Sequence, residues 1–278
     1  VVSSCWPYSC NRKKIINKPL IVTGLGAEFY LPNNAALSSL LKYVFNTADK
    51  NVVVSNFLKL KAAEYGIKKE AISVIPNTVR TNIFYPKDKN REDNKILVGL
   101  AKRLVPEKNI KDLLYAVTRL SDNLKSKIIV QIAGDGTEKE NLMALCRNLD
   151  IEDKVVFLGD KPHSQIPEFL RSWDIYVDAS TQEGIATSNL EAMASGLAIL
   201  TARGFGNEDA IKEGFNGLFF NPRDIDDLSR QLSHLIENSR TRKRYAYNAR
   251  KTIEDKFSSK IVGRKYKDIY HKLIRETK

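Results

Sequence analysis

The sequence predicts an α/β fold of parallel sheets, arranged as two units, and three observations predict it. Short apolar runs rich in Val, Ile and Leu recur without polar alternation at residues 96–100, 128–132, 155–158, 173–177 and 198–200. That is the pattern of strands covered on both faces. Segments with apolar residues at helical spacing fall between these runs, so strand and helix alternate as they do around a parallel sheet. A charged stretch, residues 87–94, divides this series from a shorter one before it.

The chain's 278 residues suffice for one large or two small α/β domains. In the first part, residues 20–22, 51–55 and 72–75 read as strands, the last stopped by Pro76. Leu37, Leu40, Leu41, Val44 and Phe45 share one helix face, and residues 57–65 form a short helix ended by Gly66. The second part opens with the strand at 96–100, and Ile110, Leu113, Leu114, Val117 and Leu120 then line the apolar face of a helix. The strand at 128–132 leads to Gly134-Asp135-Gly136 and a helix through Leu149, followed by a strand at 155–159 and a loop in which His163 reads as an exposed residue. A further strand falls at 198–201. Asp224-Ile225-Asp226 opens a helix carrying Leu228, Leu232, Leu235 and Ile236, so these acids read as a helix cap. A last helix covers residues 262–274.

Residues 178–196, DASTQEGIATSNLEAMASG, carry most of the chemistry. They run from a buried strand through a polar turn with Gly184 into a compact helical segment stopped by Gly196. This order places the turn at the carboxyl edge of a sheet, where open α/β folds bind ligands. Glu183 and Glu191 supply carboxylates for hydroxyl groups, while free N–H groups near Ile185, Ala186 and Thr187 favour an anion. Arg103 and Lys108 flank the strand-to-helix turn after 96–100, where a guanidinium fork and an ammonium point charge can hold a diphosphate. Carboxylates, amides and cations together suit a nucleotide sugar.

Composition excludes other classes. The net charge is +12, and residues 240–278 hold 14 Lys and Arg against 4 Asp and Glu, so +10 of it lies at the C-terminal end. No zinc-ligand cluster, aromatic RNA-binding signature or helix-turn-helix pattern accompanies that charge, which points away from nucleic acid and leaves an anionic membrane surface, the better reading, or a solvated helix face. No apolar run approaches the ~20 residues of a spanning helix, and the opening VVSSCWPYSC lacks the pattern of a secretory leader. Because the chain starts at Val1, a trimmed chain or fragment is expected. Cys5, Cys10 and Cys146 make no framework and are expected to be reduced thiols of a cytoplasmic protein. His163, His234 and His271 are far apart in sequence, so no metal site is expected.

The run EG-x5-LEAMA-x-G at 183–196 closely resembles the donor-site signature of retaining glycosyltransferases of family 4, the glycosyl transferases group 1. The Arg103-x4-Lys108 pair, Gly134-Asp135-Gly136, Ile75-Pro76-Asn77-Thr78-Val79 with Phe84 and Pro86, the 204–211 segment with Glu208, and Gly217-Leu218-Phe219-Phe220 match further motifs of that family. The resemblance covers residues 75–275 well and 20–75 loosely.

The resemblance implies the GT-B fold of two Rossmann-like domains: a partial N-terminal, acceptor-side domain at 1–86, a nucleotide-sugar domain at 87–260, and a basic helix at 261–278 crossing back to the first. The family's opening strands and Gly-rich loop have no counterpart, so a truncated N-terminal domain is expected. By the same resemblance, Arg103 and Lys108 neutralise a leaving diphosphate. Glu183, with the amides of Gly184, Ile185, Ala186 and Thr187, meets the donor sugar. Glu191 holds the ribose, and Gly134 and Gly136 lie close to the donor. No cofactor or metal is implied beyond the nucleoside-diphosphate sugar. The acceptor implied is lipid-linked or a polysaccharide, in surface glycan synthesis at the inner face of the plasma membrane.

This chain departs from the family pattern at Leu25, where relatives have a His, and at Ile185-Ala186, where Phe-Gly is usual. Ala198 replaces a Pro, and Thr78 and Arg80 replace a Gly and an Asp. Two other readings stay open: a non-catalytic fragment that binds nucleotide sugars, and a nucleotide-sugar epimerase of the same fold.

Overall fold

The structure, a computed structural model, describes residues 18–29, 35–87 and 95–276. The expectations for the opening decapeptide with Cys5 and Cys10, and for most of the charged stretch at 87–94, fall outside the described residues.

The α/β expectation holds, with all the named strands in two parallel sheets. The smaller sheet has the order β1-β2-β3, formed by Ile21–Gly24, Lys50–Val53 and Ile72–Val74. Helices α1 (Ala35–Thr47) and α2 (Asn56–Glu64) cover one face through Leu41, Val44, Phe45, Leu58 and Ala62, packed on Val22 and Val53. Ser55 caps α2 by accepting the Leu58 N–H at 3.1 Å, and Gly66 at φ +76° lets the chain turn away at its end.

The larger sheet has the order β6-β5-β4-β7-β8-β9. Its strands are Ile96–Ala101 (β4), Ile128–Ala133 (β5), Val155–Gly159 (β6), Ile175–Asp178 (β7), Ala198–Ala202 (β8) and Leu218–Phe220 (β9). The chain winds outward from β4 to β6, then returns to lay β7 on the other side of β4. Direction therefore reverses between β4 and β7, which is where such a sheet opens a crevice at its carboxyl edge. One face is covered by α3 (Ile110–Thr118), α5 (Lys139–Asn148) and α8 (Ile225–Glu237), with the four-residue α4 (Asp122–Lys125) beside them. Asp224 accepts the Asp227 N–H at 2.9 Å, so the Asp-x-Asp is a helix cap as the sequence suggests. The other face carries α6 (Ile166–Ser172), α7 (Thr187–Ala194) and α9 (Ser239–Thr252) around Trp173. Trp173 lies flat over Gly99, where any Cβ would come within 1.9 Å of the indole, and its Nε1 donates to Gln131 at 2.7 Å.

Two stretches join the sheets, and they run side by side. Val79 donates its N–H to Phe257 O at 3.0 Å, and Ser259 donates to Val79 O at 3.1 Å. Helix α10 (Ser259–Glu276) then returns to the small sheet and buries Val262 against Val52 and Ile75, with Ile21, Tyr266 and Ile269 partly buried around them. Arg250 fastens the outgoing stretch by donating to Phe84 O at 2.7 Å and to Ala194 O at 2.8 Å.

Candidate functional site

The crevice between β4 and β7 gathers the charged residues. The paired register Val98↔Ile175 and Gly99↔Tyr176, continued, sets Ala101 beside Asp178. Lys102 leaves the end of β4 facing that carboxylate. Its Nζ lies 2.9 Å from Asp178 Oδ2, 3.0 Å from Glu183 Oε1 and 3.0 Å from Ser180 Oγ, with only 6% of the side chain exposed. Burial alone would push this amine down. Asp178 and Glu183 outweigh it and hold Lys102 well above the ordinary lysine range. Burial likewise works against the Asp178 carboxylate, and Lys102 and the Ser180 N–H bring it below its usual range, so the pair is ionised.

Lys108 sits on the short turn Pro106–Lys108 that precedes α3, with Nζ 2.8 Å from the same Glu183 Oε1. The structure thus brings two of the sequence-predicted residues, Lys108 and Glu183, into direct contact. Arg103 is exposed, and its side chain makes no hydrogen bond or ion pair among the described residues. It lines a pocket of about 200 Å³ together with Gly134, Asp135, Asp160, His163 and Glu191.

Glu191, on α7, is 8% exposed and is pushed up by burial, while His163 and Arg80 pull it back. Its Oε1 lies 2.8 Å from His163 Nε2. His163 is exposed over 61% of its side chain, as the sequence suggested, yet it is a partner of the site, which the sequence did not suggest. Gly134 and Gly136, at φ +143° and +156°, let the loop after β5 lie on the loop after β4. A Cβ at Gly134 would fall 1.9 Å from Lys102 O, and one at Gly136 2.3 Å from Leu104 O. Their service is close backbone packing beside the pocket.

Gly184, Ile185 and Ala186 are buried, and Thr187 is exposed as the first residue of α7. Around them the small unit and a third loop close in. A Cβ on Gly184 would lie 2.6 Å from Leu25 O, and one on Gly206 only 1.4 Å from Gly184 O. Asn77 Nδ2 donates to Ile185 O at 3.1 Å. Asp209 accepts both the Asn56 N–H at the start of α2 and, at 3.3 Å, the Asn56 amide. Leu25, standing where a His was expected, is 43% exposed beside this junction. Glu28, by contrast, is buried, accepts the Gly26 N–H at 3.2 Å, and is raised by that burial. Glu208 is exposed, with Arg203 3.8 Å away.

Lys102, Asp178, Ser180 and His163 are the residues that sequence reasoning passed over. A signal existed for two of them: Lys102 and Asp178 each follow an apolar strand, and the strand order makes those strands neighbours. Chemically, the crevice offers cations at its mouth, partly and fully buried carboxylates inside, and a pocket between sheet edge and α7.

Residues 82–252 match the family model of glycosyl transferases group 1. An uncharacterized glycosyltransferase of Methanocaldococcus jannaschii is 28% identical over 239 residues, which cover 84% of this chain and 61% of that protein. The chain therefore spans less than two thirds of that relative's length. The N,N'-diacetylbacillosaminyl-diphospho-undecaprenol alpha-1,3-N-acetylgalactosaminyltransferase of Campylobacter jejuni is 27% identical over 283 residues, covering 94% of this chain and 72% of that one. Among solved structures, Anabaena HepE in complex with UDP and glucose superposes with a TM-score of 0.83 at 20% identity, covering 97% of this chain and 76% of HepE.

Proposed function

This chain belongs to the glycosyl transferases group 1 and has their GT-B architecture, and on that premise we propose that it moves a sugar, with retention, from a UDP- or GDP-linked donor to a lipid-linked or polysaccharide acceptor. The observation that carries this reading is the cluster at the sheet's switch point: Lys108 touches Glu183, Lys102 touches Glu183 too, and Lys102 also lines the pocket that holds Arg103 and Glu191. Breaking the bond between sugar and diphosphate places negative charge on the departing oxygen. Arg103 and Lys108, with the amide N–H groups at the start of α7, are the donors that stabilise that charge. Glu183 accepts hydrogen bonds from the sugar hydroxyls and Glu191 from the ribose. The acceptor hydroxyl approaches from the face the diphosphate leaves, so the anomeric configuration is kept. Glu183 and Glu191 are therefore binding groups rather than an acid and nucleophile pair.

The small unit, described over residues 18–29 and 35–86, is proposed to offer the acceptor side. HepE was solved with UDP and glucose bound, and the Campylobacter relative's name gives it an undecaprenol-linked acceptor. Both support a nucleotide-sugar donor and a lipid-linked acceptor here. No helix among the described residues is long and apolar enough to cross a membrane, and the basic residues of α9 and α10 are proposed to hold the protein to an anionic lipid surface on the cytoplasmic side.

The test is calorimetry with UDP, GDP and their glucose, galactose, mannose and N-acetylhexosamine conjugates, followed by incubation of the bound donor with lipid-linked acceptors and analysis of the sugar products. Saturable binding of one family of conjugates and transfer of its sugar are expected. Absence of binding to every nucleotide would remove the reading, and an altered free nucleotide sugar in place of transfer would turn it towards epimerisation.

A further inference from the structure

Lys102 and Lys108 both touch Glu183 Oε1, but they differ in what they have left to give. An ammonium carries three N–H donors. Lys102 donates to Ser180 Oγ and Glu183 Oε1, both at 3.0 Å, and its charge pairs with Asp178 Oδ2 2.9 Å away. With only 6% of its side chain exposed and two carboxylates drawing on its charge, it is committed to its neighbours more than Lys108 is. Lys108 has the one carboxylate contact at 2.8 Å and keeps donors to spare.

The charges also balance in pairs. Asp178, fully enclosed and fixed by the Ser180 N–H at 3.0 Å, is a counterion dedicated to Lys102. Lys108 and Glu183 make the second pair. An arriving diphosphate draws on the cation that can turn, which is Lys108, and on Arg103. Glu183 must then keep its place while losing part of its contact with Lys108.

From this geometry we propose that Lys102 is a positioning residue. Held by Asp178, it keeps the Glu183 carboxylate aimed into the crevice while Lys108 is given over to the donor's diphosphate. The proposal rests on the nucleotide-sugar reading above. It also explains why a buried ion pair stands behind the site: a buried pair is a poor source of net stability but a firm way to fix a direction.

The experiment is a double-mutant cycle read by calorimetry. Lys102→Met combined with Asp178→Leu removes both buried charges together and leaves neither charge unpaired. This paired variant, Glu183→Gln, and the triple variant are titrated with UDP and UDP-glucose, or with GDP and GDP-mannose if the unaltered chain prefers them. For the paired variant we expect the bare nucleotide to bind within about threefold of the unaltered chain, and the nucleotide sugar about tenfold more weakly, the size of one charged hydrogen bond. In the Glu183→Gln background the same replacement should cause no further loss. Equal losses in both backgrounds would make the pair a simple staple between β4 and β7, and an unaltered nucleotide-sugar affinity would make it irrelevant to the site; either result overturns the proposal. If the apolar pair does not fold, Lys102→Gln with Asp178→Asn carries the same cycle. Failure of the unaltered chain to bind any nucleotide overturns the functional reading as well, which separates the two failures.

Discussion

His163 Nε2 stands 2.8 Å from Glu191 Oε1, and this contact ties the loop after β6 to the buried face of α7. It fixes one carboxylate oxygen and leaves the other for a ligand in the adjoining pocket. Glu191→Gln should therefore weaken UDP and UDP-sugar alike, by ~1.5–3 kcal/mol, because both carry the ribose. Glu183→Gln should spare bare UDP and weaken only the sugar conjugate. Calorimetry on the two variants, with circular dichroism to confirm folding, checks the division. Equal loss of bare UDP in both would refute it.

The Arg103 side chain makes no hydrogen bond or ion pair among the described residues, so Arg103→Ala should melt within a degree or so of the unaltered chain. Its nucleotide affinity should nonetheless fall by ~1–3 kcal/mol, the worth of charge-assisted hydrogen bonds to phosphate. A variant with full nucleotide affinity would remove Arg103 from the site.

Gly206 sits at φ +83° with Gly184 O pressed against the place a Cβ would occupy, 1.4 Å away. Gly206→Ala should push the 183–187 turn off its seat, lowering both the melting temperature and nucleotide-sugar binding. Gly204 is the control: it has φ +92° but nothing within 4 Å of its Cβ position. Gly204→Ala should show the backbone strain alone, a smaller loss of stability with binding kept. Identical behaviour of the two variants would exclude the close approach as the cause.

Burial pushes the Cys146 thiol up from 9.0 to about 11. The sign follows from the neutral form being the one that folds. Below pH 9.0 both states hold the proton and the stability is complete; between 9.0 and about 11 the unfolded chain releases its proton first, so stability declines as pH rises. Urea melts from pH 8 upward should show this decline, and Cys146→Ala should flatten part of it. The native thiol should also resist aromatic disulfide reagents until the chain unfolds. Rapid labelling of the folded protein at pH 8 would contradict its burial.

The cations of α9 and α10 lie mostly on exposed faces, because the buried sides hold Tyr245, Ala249, Val262 and Leu273. Co-sedimentation with vesicles should rise with anionic lipid content and fall with salt, at up to ~1 kcal/mol for each cation near the surface. Binding that ignores both variables would dispose of the membrane contact.

Much of this architecture was legible in the chain. The strand runs at 96–100 and 128–132 and the apolar stripe beginning at Ile110 each read as one kind of element, because both faces of a parallel sheet are covered and the helix period is clear. Arg103, Lys108, Glu183 and Glu191 could be named because their spacing matches a known pattern. Lys102 and Asp178 were hidden because each, taken alone, reads as a polar residue closing a strand. Only the order of strands, which places β7 next to β4 rather than next to β6, brings their charges together. His163 was hidden for a related reason: its partner lies 28 residues away on another element.

The small sheet is finished from the far end of the chain. Its second face is covered by α10, so Val52 and Ile75 stay bare until residues 259–276 have been made. During synthesis on the ribosome, the large sheet can close on itself while the small one still waits with an open apolar side. Loss of α10 would thus strike strands distant from it in sequence rather than the nearest ones.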